Sequence, residues 1–307
     1  MILKLKAMAF QPPGPNARRA AIGNTSSLSE NLRLACEPGT DFEPVPPPGP
    51  HDWLAVHPEP SQMFGQFKDS QPNKPDRTRR KIYLQPLGEF PPGRSPSPER
   101  LREYATIYFA LQTDTLPVVQ GQNFTTRVNP LTHNHQILTT DVLRFLKTKL
   151  PRDAFCVLAI TMEDLYPEPA WNFVFGQASL QQRVAVFSFA RYDAAFYGQE
   201  RTADHQTVLL RRSCKVLAHE TAHMFGLAHC IFFNCVMNGS NHLDESDRRP
   251  MHLCPVCLRK LQFSVGFDVV QRYQKLVGFY EAAGFANEAQ WTRNRLRIFA
   301  HKNRTYR

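Results

Sequence analysis

The sequence of 307 residues lacks a long hydrophobic run. Its longest unbroken apolar stretch covers only residues 154–160, whereas a membrane-spanning helix needs roughly 20 apolar residues. Lys4 and Lys6 interrupt the apolar residues near the N-terminus, so the apolar centre of a secretory signal is missing as well. We therefore expect no membrane partner and an intracellular location, in the cytoplasm and also the nucleus.

Acidic residues are scarcer than basic ones, with 27 Asp and Glu against 37 Lys and Arg, which gives a net charge of +10. Such a charge can attract nucleic acid or an acidic membrane. The basic residues are scattered, however, and we interpret them as solvated faces and tails rather than a nucleic-acid site. Two groups are denser than the rest: Arg77, Arg79, Arg80 and Lys81, then Arg293, Arg295, Arg297, Lys302, Arg304 and Arg307.

Proline is unevenly distributed: 18 of the 25 prolines fall within the first 98 residues. Because proline lacks an N–H group and clashes inside helices and strands, the stretch FEPVPPPGPHDW at residues 42–53 cannot form an interior strand or helix. We predict a largely extended or disordered arm over residues 1–78, a folded domain over 79–302, and a basic tail at 303–307.

From residue 81 the pattern favours strands that alternate with helices, which is typical of an α/β or α+β domain. We predict a helix that begins after Ser97, with Pro98 in its first turn. The predicted strands lie at residues 81–87, 155–162, 173–180 and 183–191, with a turn near 176–179. Further helices are predicted at 141–150, 207–225, 268–283 and 286–299.

The segment HETAHMFGLAHC occupies residues 219–230. On a helix, the spacing of His219 and His223 places both imidazoles on one face, one turn apart. Both can therefore bind one metal ion, and Glu220 projects towards the same open position. In this pattern the glutamate is the general base that activates zinc-bound water.

A third ligand follows from Gly226 and His229. Glycine is the usual residue where a helix ends in a left-handed conformation, and the turn allows His229 to reach the same ion. Three protein ligands leave a fourth position for water, which distinguishes a catalytic zinc site from a closed structural one.

Four cysteines predict a second zinc ion. They form two close pairs separated by a loop, a pattern that suits a tetrahedral structural site, and two disulfides would conflict with an intracellular location. Because Cys230 directly follows His229, we expect the second zinc to fix the loop that carries the third catalytic ligand. The four residues are Cys230, Cys235, Cys254 and Cys257. The predicted zinc-binding core of the domain therefore covers residues 207–261.

At this point the residues resemble a known family. The segment 219–229 fits the extended zinc motif of metzincin peptidases, and the following CIFFNCVM and CPVC are similar to those of archaemetzincins. The resemblance runs from about residue 53 to 276. It implies zinc-dependent hydrolysis of peptide or protein substrates by a compact metzincin-like domain, in which a mixed twisted sheet packs on the active-site helix.

The same resemblance implies two further features. Met237 would be the Met-turn residue that packs beneath the zinc ligands, and residues 183–191 would form the edge strand along which a peptide lies antiparallel. Substrate-binding residues beyond that strand are not predicted, and we expect a monomer.

Two alternatives stay open at this stage. The chain could be a catalytically silent, zinc-stabilised module that binds nucleic acid or an acidic protein, although a structural site has no need of Glu220. It could also hydrolyse a non-peptide amide, because the same ligand set serves attack on any carbonyl.

Overall fold

The computed structural model describes residues 10–120 and 124–302. Strands within these ranges form a sheet with the order β2-β1-β5-β8-β7 and a smaller sheet with the order β3-β4-β6. The strands are β1 (Lys81–Leu87), β2 (Thr113–Thr115), β3 (Thr126–Val128), β4 (His135–Leu138), β5 (Ala154–Thr161), β6 (Asp164–Tyr166), β7 (Gly176–Ser179) and β8 (Val184–Ser188).

Helices surround the larger sheet, and short ones precede it. They are α1 (Pro15–Ile22), α2 (Glu30–Ala35), α3 (Trp53–Val56), α4 (Phe64–Asp69), α5 (Pro98–Phe109), α6 (Thr139–Thr148), α7 (His205–Met224), α8 (Leu243–Arg248), α9 (Pro255–Val265), α10 (Val269–Ala282) and α11 (Ala286–Lys302). Of the described helices, none is both long enough and apolar enough to cross a membrane.

The larger sheet is buried on both faces. Strand β5 is completely buried, and its side chains alternate between two hydrophobic clusters, as the two-residue period of a strand requires. Leu158 and Ile160 belong to the cluster that includes α5 and α7 residues. Val157 and Ala159 belong to the cluster that includes α6 residues. The sheet is therefore the middle layer of an α/β fold, and the predicted fold class is confirmed.

Several predicted elements match the structure closely. Strand β1 has the predicted bounds. The Ser97 side chain accepts a hydrogen bond from the Arg100 N–H at 3.2 Å, so it caps α5 as expected. Helix α10 likewise begins after Asp268, whose side chain accepts from the Gln271 N–H. Local capping chemistry thus located the start of α5 from sequence, whereas the apolar period located that of α10.

The expected edge strand is wrong. Strand β8 (Val184–Ser188) pairs in parallel with β5 and antiparallel with β7, so β7 lies at the edge of the sheet instead. The physical reason is visible in burial: all five β8 residues are buried, which is typical of an interior strand.

The predicted turn at residues 176–179 is also wrong, because these residues form β7 itself. The chain reverses just after them, where Arg183 has a φ of 58° and its N–H donates to the Leu180 carbonyl at 3.2 Å. Glycine at position 176 indicated a turn. In the strand it allows close approach instead, since a Cβ there would lie 2.9 Å from the Val186 carbonyl oxygen.

The proline-rich arm is mostly non-helical, but it packs on the rest of the chain. Ala21, Leu34 and Phe67 are at most 3% exposed and belong to the main hydrophobic core. The arm is also hydrogen-bonded to the loop before α8, because the Asn234 N–H donates to the Glu43 carbonyl at 2.9 Å. The boundary at residue 78 stays a prediction, and the predicted basic tail at 303–307 lies outside the described residues.

Buried cations satisfy the carbonyl groups of the arm. A proline-rich segment cannot pair all of its carbonyls in a helix or a sheet, and unpaired buried carbonyls are costly. Arg295 donates to the Leu34 and Ala35 carbonyls at 3.2 and 3.1 Å, and Arg259 donates to the Asn24 carbonyl at 2.6 Å. Arg295 is 1% exposed, so the C-terminal basic run is not entirely a solvated face.

Candidate active site and metal centres

Helix α7 carries two of the predicted histidines and the glutamate in its last turns. The helix ends at Met224, and the Gly226 N–H bonds the His223 carbonyl at 2.8 Å. Gly226 has a φ of 85°, a left-handed conformation that suits glycine. The chain turns there and brings His229 back to the helix.

The three predicted imidazoles meet at one point. His219, His223 and His229 each offer a ring nitrogen, and these nitrogens lie within 4.8 Å of one another. The Nε2 atoms of His219 and His223 are 3.0 Å apart. The sequence spacing therefore predicted correctly that these three rings lie close together. Their role as zinc ligands remains a prediction.

The second ring nitrogen of each histidine fixes its tautomer. His219 Nδ1 lies 2.9 Å from the Val236 carbonyl and His223 Nδ1 lies 2.6 Å from the Leu227 carbonyl. A carbonyl only accepts, so both Nδ1 atoms must donate and both Nε2 atoms must carry lone pairs. Two lone pairs facing each other at 3.0 Å repel unless a cation lies between them, so the donor set fits a metal ion.

Low pKa values keep two of the rings neutral. Burial, with the neighbouring rings and Arg249, lowers the pKa of His219 well below its ordinary value. Burial and His229 lower the pKa of His223 to about 4. Neutral imidazole is the form that binds a metal, so these side chains are ready to bind at neutral pH.

His229 has a partner that the sequence did not indicate. Its Nδ1 lies 2.7 Å from the Oε1 atom of Glu59, which also accepts a hydrogen bond from the Trp53 indole at 2.6 Å. Burial alone would raise the pKa of Glu59, but the hydrogen bonds from His229 and Trp53 outweigh it and lower that pKa. An ionised carboxylate therefore faces the third imidazole.

The histidine cluster lies in a cavity of about 440 Å³, within the range of small-molecule sites. Edge strand β7 and the segment before it form one wall, and Trp53 contributes from the arm. Trp171 is 53% exposed, while Arg127 donates to the Pro169 and Asn172 carbonyls at 2.9 and 3.0 Å. Arg127 of β3 thus attaches the segment that contains Trp171 to the smaller sheet.

Polar groups line the cavity beside the cluster. Burial raises the pKa of Glu220 to about 7. Tyr192 and Arg249 also line this cavity, and Arg249 donates to the Ser240 and Ser246 hydroxyl oxygens at 2.9 Å each. A neighbouring cavity of about 530 Å³ lacks the imidazoles, so we assign the chemistry to the smaller one.

The four predicted cysteines form a second cluster, in which all four sulfurs lie within 4.8 Å of one another. Cys254 is the N-cap of α9 and Cys257 lies in its first turn. The sulfurs of Cys230 and Cys254 are 3.6 Å apart, too far for a disulfide. Tetrahedral zinc–thiolate geometry places sulfurs about 3.8 Å apart, so the cluster fits a zinc ion.

Hydrogen bonds between thiols set one cysteine apart. Cys235, Cys254 and Cys257 stabilise the Cys230 thiolate, which lowers the pKa of Cys230 despite its burial. A thiolate is the form that binds a metal.

One loop connects the two clusters. The Cys230 N–H donates to the Met237 carbonyl at 2.8 Å, and the Asn238 side chain donates to the Cys230 carbonyl at 2.6 Å. The Val236 carbonyl in the same loop accepts from His219. Met237 is completely buried, which is compatible with the Met-turn role that the resemblance implied.

Gly239 offers a test of how tightly Trp53 is held. A Cβ at this position would lie 2.4 Å from Trp53 Cδ1. We expect Gly239→Ala to displace the indole and to lower the free energy of unfolding by about 1–3 kcal/mol, the usual cost of overpacking, as measured by denaturant unfolding.

Gly278→Ala is the matched control, because a Cβ there meets nothing within 4 Å. Gly278 lies inside α10, where alanine is favoured by up to about 1 kcal/mol. Equal stability of the two variants would show that Trp53 moves freely.

Sequence reasoning missed the residues that reach the cluster from elsewhere in the chain. Glu59, Trp171 and Arg249 lie in segments without a motif, and no local spacing pattern could have identified them. Asn238 directly follows Met237, and only its position inside the cysteine region could have drawn attention to it.

Several known proteins are similar to this chain. The sequence profile of peptidase family M54 matches residues 115–263. Archaemetzincin-2 of Homo sapiens is 45% identical over 276 residues, which cover 80% of this chain and 77% of that protein. Archaemetzincin-1 of Homo sapiens is 36% identical over 260 residues, covering 75% of this chain and 52% of that protein.

Among solved structures, the archaemetzincin of Methanopyrus kandleri is 30% identical, with a TM-score of 0.47 over 62% of this chain and 97% of that one. A zinc-dependent peptidase from Methanocorpusculum labreanum is 26% identical, with a TM-score of 0.46 over 59% of this chain and 99% of that one.

The family profile and the sequence relatives together define a zinc metallopeptidase, a hydrolase whose substrates are peptides or proteins. The chain belongs to the archaemetzincin family, peptidase family M54. The family resemblance seen in the sequence is therefore confirmed, and a zinc peptidase is favoured over the silent binding module.

Proposed function

We propose that the chain hydrolyses peptide bonds at the histidine cluster, with His219, His223 and His229 as ligands of a catalytic zinc and Glu220 as general base. The observation that carries this proposal is the arrangement of lone pairs. Two Nε2 atoms face each other at 3.0 Å, while hydrogen bonds from Nδ1 fix the rings in that orientation.

Zinc bound there would lower the pKa of water to about 7 and polarise the scissile carbonyl. Glu220 takes a proton from the attacking water and later delivers it to the departing nitrogen. Burial raises the pKa of the Glu220 carboxyl to about 7, so this group can exchange a proton near neutral pH. Its place on α7, next to His219 in sequence, directs it to the cavity that substrate enters.

We assign the cysteine cluster to a second, structural zinc ion. Four sulfurs would occupy all four tetrahedral positions, so this site cannot also bind water or substrate. Two zinc ions per chain is the resulting expectation.

The substrate backbone is proposed to lie along β7 (Gly176–Ser179). This strand is the edge of the sheet, and Gly176, Gln177 and Ala178 line the cavity. An edge strand offers unpaired N–H and carbonyl groups to an extended peptide. Trp53 of the arm also lines this cavity, so a peptide would pass between the arm and the sheet.

Metal analysis tests the proposal. We expect the parent protein to contain two zinc atoms per chain and His219→Ala to contain one, because it loses one of three ligands of the open site. A peptide library monitored by mass spectrometry should be cleaved by the parent. Cleavage should stop with a zinc chelator and return when zinc is restored.

His135→Ala is the control, since His135 is an exposed residue of β4. It should keep both zinc atoms and full cleavage. Peptide cleavage that survives complete zinc removal, or a His219→Ala variant that retains two zinc atoms, would overturn the assignment.

A further inference from the structure

The third imidazole differs from the other two in where it lies. His219 and His223 lie on α7, whereas His229 follows the end of the helix. Both helical rings donate to backbone carbonyls close to the site, those of Val236 and Leu227. His229 instead faces a side chain, Glu59, which lies 170 positions earlier in the chain.

We propose that Glu59 is a positioning residue, which holds His229 in the orientation that completes the catalytic zinc site. This inference rests on the proposed function of the histidine cluster. The 2.7 Å contact with His229 Nδ1 commits that nitrogen to donation and leaves Nε2 with a lone pair. A carboxylate in this position also makes the imidazole a stronger ligand.

Glu59 is itself fixed. Trp53 donates to the same Oε1 atom at 2.6 Å, and its ring lies edge-on to His229 with the centroids 5.2 Å apart. The backbone N–H of Trp53 donates to the Glu245 carboxylate at 2.9 Å. The carboxylate therefore has little freedom to leave His229.

The next residues of the arm brace the loop that carries His229. The Gln62 side chain donates to the Gly226 carbonyl at 3.0 Å and accepts from the Ala228 N–H at 3.0 Å. Lys260 of α9 donates to the Gln62 side-chain oxygen at 2.9 Å. The arm thus fixes both the backbone before His229 and the ring itself.

The experiment measures zinc affinity in Glu59→Ala and Glu59→Gln by competition with a graded series of chelators. Loss of a group that orients a ligand typically weakens metal binding about 10- to 100-fold, and we expect Glu59→Ala to raise the dissociation constant of zinc at the histidine cluster by that factor. Glu59→Gln keeps an acceptor oxygen and should show a smaller increase. Affinity for the cysteine-bound zinc should be unchanged.

Glu37→Gln and Glu37→Ala are matched controls on the same arm, because Glu37 is exposed and its side chain pairs only with Arg33 at 3.3 Å among the described residues. Cobalt substitution gives a second readout. The visible absorption of cobalt at the histidine cluster should shift in the Glu59 variants and stay unchanged in the Glu37 variants.

The outcomes separate this inference from the proposed function. If the Glu59 variants bind both zinc ions as the parent does, with an unchanged cobalt spectrum, Glu59 has no positioning role. If the parent shows no zinc that His219→Ala removes, the histidine cluster is not a zinc site and the proposed function fails first. Equal weakening of both zinc sites would also overturn the inference, because it would indicate general loss of structure.

Discussion

Replacing Glu220 with glutamine is expected to lower kcat for peptide hydrolysis by about 10²- to 10⁴-fold, the usual contribution of a positioned acid or base. Glutamine has the same shape but cannot accept the proton of the attacking water. The histidine ring contacts with the Val236 and Leu227 carbonyls do not involve Glu220. Zinc content, measured by elemental analysis, should therefore stay at the parental value.

Glu163→Gln is the control, because it makes the same chemical change away from the cavity. Glu163 is an exposed residue just after β5. It should hydrolyse peptides like the parent. A Glu220→Gln enzyme with parental kcat would show that another group takes the proton. Tyr192, which lines the same cavity, would then be the first side chain to substitute.

Cys254→Ser is expected to have the largest effect on stability. A structural zinc contributes about 10–16 kcal/mol of folding free energy in small zinc domains. Loss of about 5 kcal/mol in this larger chain would lower Tm by about 10–20 °C. Differential scanning calorimetry would measure the shift.

The same variant should also weaken the catalytic zinc. Cys230 adjoins His229, and the Cys230 N–H bonds the Met237 carbonyl at 2.8 Å in the loop whose Val236 carbonyl accepts from His219. Loss of the cysteine-bound zinc therefore disturbs two of the three histidines.

Cys36→Ser is the control, because Cys36 is also buried, at 2% exposure, but lies outside the cysteine cluster. It measures the cost of a buried hydroxyl alone and should leave two zinc atoms bound. A Cys254→Ser protein with two zinc atoms and parental Tm would contradict the structural-zinc assignment.

The sequence was most informative where chemistry repeats at short spacing. His219 and His223 lie one helical turn apart, so the geometry of a helix predicted their proximity without knowledge of the fold. Ser97 located the start of α5 for a similar reason, since capping is local. The proximity of Cys230 and Cys254 was predicted from residue type, because close pairs of cysteines in a chain expected to be intracellular indicate a metal site.

Long-range contacts account for what the sequence did not reveal. Glu59 and His229 are neighbours only because the arm folds over the loop after α7, and no periodicity encodes that path. The edge-strand prediction failed for a different reason. Residues 184–187 are continuously apolar, which is typical of an interior strand, whereas the expected edge position came only from the family resemblance.

The arm's place in the active site has a consequence for how this protein can be shortened. The first quarter of the chain supplies a carboxylate to His229, an indole to the cavity wall and the carbonyls that Arg259 and Arg295 bind. A fragment that begins at residue 79 would retain every residue of the zinc motif. It would nevertheless leave two buried guanidinium groups and one imidazole without their acceptors, so the motif does not delimit the smallest unit able to work.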